Sequence, residues 1–126
     1  MWYNLHMEQI IEKIANRIKE TNPYKIILFG SAAYGSASEN NDIDIIVVTK
    51  DETMPMSYRE NFQVYLKIST HLKDIRKEVP IDLIVYTKPM FKKFVNQGSL
   101  FSKEILEKGR VLYEENHKRM AESGTG

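Results

Sequence analysis

Residues 26–48, IILF-GSAAYGSASENN-DIDIIVV, decide how this chain is read. The stretch opens as an apolar run, breaks at Gly30 and Ser31, crosses a small polar loop, and re-enters a second apolar run through Asp42 and Asp44. That pattern is a strand, a tight turn, and a second strand with acids at its start. Side chains alternate faces along a strand, so Asp42 and Asp44 project to one side, roughly 6.5–7 Å apart along it. Carboxylates held that close resist joint ionisation unless a cation sits between them. Magnesium is the simplest occupant, a hard ion that takes oxygen ligands and shares them with substrate phosphates.

Upstream, Ile10, Ile11, Ile14, Ala15 and Ile18 fall on one helical face, predicting a helix over residues 5–20 that Asn22 and Pro23 end. Residues 25–29 are almost wholly apolar, the mark of a strand buried on both faces. Gly30 and Ser31 then turn the chain, with a short helical turn expected over 32–34 and an irregular polar loop over 36–41. Downstream, residues 43–48 form the second strand and 49–55 an exposed loop. Ser57 and Glu60 make a capping box for a long helix, whose expected inner stripe is Phe62, Tyr65, Leu66, Ser69, Leu72, Ile75 and Val79. Pro80 closes it, and residues 81–86 form a third strand with Asp82 near its start. A short helix over 87–96 with Pro89 in its first turn, an amphipathic helix over 99–108 with Leu100, Phe101, Ile105 and Leu106 as its apolar residues and Gly109 as its stop, and an edge strand over 110–113 complete the domain. The expected division is a domain over residues 1–113 and a polar tail over 114–126.

With 126 residues the chain builds one domain with a real core and leaves no room for a second, acceptor-binding domain. Eighteen Lys and Arg against seventeen Asp and Glu give a net charge of +1, so no basic field points to a long nucleic acid. The absence of cysteine excludes disulfides, zinc thiolates and thiol nucleophiles. No leader pattern and no long apolar run are present, so the expected setting is cytoplasmic with no membrane partner. His6, His71 and His117 lack ligand spacing and read as surface residues; Lys92, Lys93 and residues 73–77 read as solvated helix faces. Met54 and Met56 read as loop anchors, with a partner contact as the alternative.

Three acids thus stand at strand starts, Asp42 and Asp44 on one strand and Asp82 on another. If those strands are neighbours, the carboxylates converge beside Gly30 and Ser31. Gly30 lets backbone approach an anion without a Cβ, and Ser31 offers a hydroxyl and a backbone N–H. Two metals about 3.5–4 Å apart would let one activate an attacking hydroxyl and the other hold a triphosphate. Asp42 and Asp44 would then serve both ions, while Asp82 holds the nucleophile-side ion and accepts the hydroxyl proton.

Gly30-Ser31, ten intervening residues and then Asp42-Ile43-Asp44, with Asp82 in the later strand and residues 102–113 closing the domain, resemble the minimal nucleotidyltransferase (MNT) branch of the DNA polymerase β superfamily. The resemblance implies an α/β (α+β) fold with a small mixed sheet flanked by helices, two Mg2+ ions, ATP as substrate and transfer of AMP. It implies catalytic and metal-binding roles for Asp42, Asp44 and Asp82, and nucleotide binding by Gly30 and Ser31. Stand-alone MNT proteins resemble antitoxins that adenylylate a tyrosine of a separately encoded HEPN-domain ribonuclease toxin, so that toxin is the implied partner. Ala32 and Tyr34 stand where relatives commonly carry basic residues. Two other readings remain open, a non-catalytic antitoxin acting by contact and a small-molecule nucleotidyltransferase of the aminoglycoside type; a homodimer is compatible with any of them.

Overall fold

The computed structural model describes residues 2–33 and 42–115. Tyr34, Gly35, the polar loop over 36–41 and the tail beyond 115, with His117, lie outside the described residues.

Four strands form one mixed sheet: β1 (Lys25–Phe29), β2 (Ile43–Val48), β3 (Ile81–Tyr86) and β4 (Arg110–Glu114), in the spatial order β3-β2-β1-β4. β1 runs antiparallel to β2 and to β4, whereas β2 and β3 are parallel. A parallel pair needs a crossover. Here it carries α2 (Tyr58–Ser69) followed by two 3-10 turns, Thr70–Leu72 and Ile75–Lys77. The remaining helices are α1 (Trp2–Lys19), α3 (Lys88–Asn96) and α4 (Leu100–Lys108). This is the mixed sheet flanked by helices that the sequence predicts.

Period-two alternation divides the apolar strand residues between two layers. Ile26, Leu28, Ile43, Ile45, Val47, Leu83 and Val85 point to one face, where Ile11, Ile14 and Ile18 of α1 and Ile68, Leu72 and Ile75 of the crossover cover them. Ion pairs from Lys13 to Glu78 at 2.8 Å and from Arg17 to Asp74 at 2.6 Å lie along the same seam. Ile27, Phe29, Ile46 and Val48 point the other way, against Ile105 of α4 and the rings of Tyr86, Phe91 and Phe94.

Helix ends follow local chemistry. Ser57 accepts the Glu60 N–H at 3.2 Å, while the Glu60 carboxylate takes the Met56 N–H at 2.9 Å, one residue earlier than a standard capping box. Thr87 and Ser99 cap α3 and α4 in the same manner. Asn22, at φ 59°, turns the chain out of α1.

Two helical faces differ from the sequence expectation. In the crossover the continuous helix gives way after Ser69 to the 3-10 turns, and the stripe rotates: Ile68, Ser69, Leu72 and Ile75 are buried, whereas Phe62 is 57% and Leu66 38% exposed. The tighter 3-10 winding shifts which positions share a face. In α4 the buried positions are Ser102 and Ile105, leaving Leu100, Phe101 and Leu106 outward. Among the described residues no helix is long and apolar enough to cross a membrane.

Candidate active site

The acids gather because of sheet topology. β2 and β3 are parallel and start at the same sheet end, and β1, antiparallel to β2, finishes there. Asp44 is directly in register with Phe29 on one side and with Asp82 on the other. The Ile43 N–H bonds the Pro80 carbonyl at 3.0 Å, locking the entries of the two acidic strands together. By alternation Asp44 and Asp82 share the face of Ile46 and Ile84, the layer that α3 and α4 cover. Asp42, exposed, stands one residue ahead of β2.

Gly30 sits at φ +72°, a region that disfavours any residue with a Cβ. A Cβ built on it would overlap the Asp44 carboxylate oxygen Oδ2. The glycine is therefore required twice, for the turn and for the approach of the acid to the backbone. Ser31 follows in a turn over residues 31–33, in which the Ala33 N–H bonds the Gly30 carbonyl at 3.1 Å. Ala32 packs into the core beneath α1. A basic side chain there would enter the core, which gives a structural reason for alanine in place of a cation.

The electrostatics single out Asp44. Burial, then the charges of Asp82 and Asp42 and a hydrogen bond shared with Asp82, push its pKa up to about 6. A carboxylate raised by other carboxylates is a group waiting for positive charge or a proton. Among the described residues no three Asp, Glu, His or Cys side chains form a ready-made cation cage. The donor set nonetheless fits magnesium: it is all hard carboxylate oxygen, Asp44 and Asp82 stand in register on neighbouring strands, and their repulsion is relieved by a cation. Substrate phosphates would fill the remaining positions, as is usual for this ion.

One cluster next to these acids has no sequence signature. Arg76 donates to Ser69 Oγ at 2.6 Å and to the Tyr65 hydroxyl at 3.1 Å. Burial alone would raise the Tyr65 phenol, but hydrogen bonds with Arg76 and Ser69 outweigh it and leave the phenol below its ordinary value, with Asp82 opposing them. These residues come from α2 and the 3-10 turns, and only the folded crossover assembles them.

Comparisons with known proteins bear on the family and the fold. Residues 9–118 match the family described as "Polymerase beta, Nucleotidyltransferase". A Methanocaldococcus jannaschii protein named "Putative protein adenylyltransferase" is 33% identical over 112 residues, covering 86% of this chain and all of its own length. A crystal structure of a nucleotidyltransferase, described as putative, from Sulfolobus solfataricus superposes with a TM-score of 0.58 at 16% identity, over 90% of this chain and 85% of that one. The toxin–antitoxin structure MntA-HpeT overlaps with a TM-score of 0.49 at 19% identity, over 85% of this chain and 74% of that one.

Proposed function

The chain belongs to the polymerase β nucleotidyltransferase family, and from that premise we propose that it transfers AMP from ATP to a hydroxyl of a partner protein. The acceptor in this reading is a tyrosine of a HEPN-domain ribonuclease toxin, which the modification neutralises. Support for a protein acceptor comes from the name of the M. jannaschii relative. The toxin comes from the MNT resemblance of Gly30-Ser31 and Asp42-Ile43-Asp44. A cytoplasmic setting, where ATP and magnesium are at hand, completes the reading.

The observation that carries the site is the register of Asp44 with Asp82 beside the Gly30 backbone. Asp42, Asp44 and Asp82 would hold magnesium, with Gly30 and Ser31 admitting the triphosphate. When bound, the metal supplies charge neutralisation for the phosphates and the departing pyrophosphate. The chain's own residues do the rest. Asp82, exposed at the edge strand, takes the proton of the acceptor hydroxyl. The freed oxygen forms a bond to the α-phosphorus, and the bond from that phosphorus to the bridging oxygen breaks. Pyrophosphate leaves, and the acceptor carries AMP. The parallel register of β2 and β3, tied at their entries by the Ile43 N–H to the Pro80 carbonyl, sets the spacing of the two carboxylates before substrate arrives, so little reorganisation accompanies the reaction.

Incubation with a co-encoded HEPN protein, magnesium and α-labelled ATP is expected to label that protein. Asp44→Ala should reduce labelling by about a thousandfold or more, equivalent to about 4 kcal/mol of barrier. Label that persists in this variant rejects the site. Full neutralisation of the toxin by a chain carrying both Asp42→Asn and Asp44→Asn replaces chemistry with simple contact.

A further inference from the structure

An aromatic row crosses the face that carries the acids. The rings of Tyr86 and Phe94 lie 5.2 Å apart, Phe94 and Phe101 5.6 Å, and Phe101 and Phe29 5.6 Å. The row ends at the acids, because Phe29 is the in-register neighbour of Asp44. Along it exposure changes abruptly. Phe29 is buried, whereas Phe101 is 41% exposed, and Leu100 beside it is exposed as well. Both contacts of Phe101 are edge-type, with interplanar angles of 74° and 69°, so neither ring takes the flat stacking position on it.

We infer that Phe101 is the platform on which the nucleobase of the donor triphosphate stacks. The inference rests on the acids being the nucleotide site. With the phosphates held through magnesium at Asp44 and Asp82, the nucleoside must extend away from them. On this face the flanking ring next to Asp44 is Phe29, and the next ring out is Phe101. An aromatic face at that remove suits a base better than a sugar, which has no π system to offer. Stacking tolerates any base because each has a π face, and a purine presents the larger one. The platform therefore favours purine triphosphates without reading their hydrogen-bonding edges.

The test compares equilibrium binding of magnesium-ATP and of magnesium tripolyphosphate to wild type, Phe101→Leu and Phe101→Tyr, by calorimetry. Leucine keeps apolar packing against Phe29 and Phe94 and removes the π face; tyrosine keeps both. Phe101→Leu is expected to bind ATP about tenfold more weakly, with Phe101→Tyr within about twofold of wild type. Tripolyphosphate, which has no base, should bind all three alike. Equal ATP binding by wild type and Phe101→Leu overturns the platform and leaves the transfer reading standing, as does a loss shared equally by ATP and tripolyphosphate. A wild type that binds neither ligand removes the nucleotide site itself, and the platform with it.

Discussion

The two faces of the sheet are built from different materials. Under α1 and the crossover, aliphatic side chains close completely: Ile14, Ile18, Ile26, Leu28, Ile43, Ile45, Val47, Leu72 and Ile75 have no exposed surface. Under α3 and α4, rings join the branched aliphatics Ile27, Ile46, Val48 and Ile105, and Phe91, Phe94 and Tyr86 are only partly covered. Interiors packed without gaps are stiff and intolerant of lost volume, whereas loosely covered rings accept substitution more readily. Both acids lie on the second face. The chain thus places its sealed core on one side of a four-stranded sheet and its candidate site on the other.

The sharpest way to break this contrast is to remove one side chain from each layer. Leu72→Ala, in the sealed layer, is expected to lower unfolding free energy by about 2–5 kcal/mol while leaving transfer per folded molecule unchanged. Phe91→Ala, in the ring layer, where the side chain is only partly covered, should cost less than Leu72→Ala because its surroundings and solvent can fill the space. Equal losses in urea denaturation would erase the distinction.

A smaller effect is expected at the boundary between turn and site. Gly30→Ala places a Cβ against Asp44 Oδ2 at a backbone angle of φ +72°. The left-handed conformation alone costs about 1–2 kcal/mol. Asp44 must also move, so transfer should fall further than stability does. A variant that melts earlier yet transfers AMP at the wild-type rate would show that the Asp44 position is not critical.

The smallest effect concerns pH in the metal-free protein. Asp44 titrates at about 6, above the 3.8 of a free aspartate. The stability that its protonated form confers is fully present below about pH 3.8 and is lost as pH rises through about 6. Asp44→Asn carries no such charge. With chelator present, the melting temperature of wild type should drop relative to Asp44→Asn between pH 5 and pH 7.5, and magnesium should reverse that drop in wild type alone. A wild type that gains on the variant over that interval contradicts the raised pKa.

The strands were legible because residues 25–29, 43–48 and 81–86 are short apolar runs bounded by Pro23, Gly30, Pro80 and the Asp residues. The spacing of Asp42 and Asp44 predicts a shared face for those two, while convergence with Asp82 depended on the two strands being neighbours, which the parallel register of Asp44 with Asp82 makes them. What the one-dimensional pattern misplaced were helical faces. Phe62 and Leu66 fit an apolar stripe at the helical period, but the 3-10 turns after Ser69 set a different face inward. Leu100 and Phe101 likewise suggested a buried α4 face, whereas Ser102 and Ile105 occupy it. The Arg76–Tyr65–Ser69 cluster was not legible at all, because its members meet only through the bend in the crossover.

That crossover governs when the candidate site is complete. Asp42 and Asp44 emerge early in synthesis, but Asp82 reaches Asp44 only once the intervening helical connection has closed and β3 has docked edgewise on β2. A ribosome-bound fragment ending before β3 holds two acids and no third. Completion of the topology is thus the ignition key of the proposed site: a half-made molecule lacks one of its three acids, and the backbone ladder between β2 and β3 delivers it.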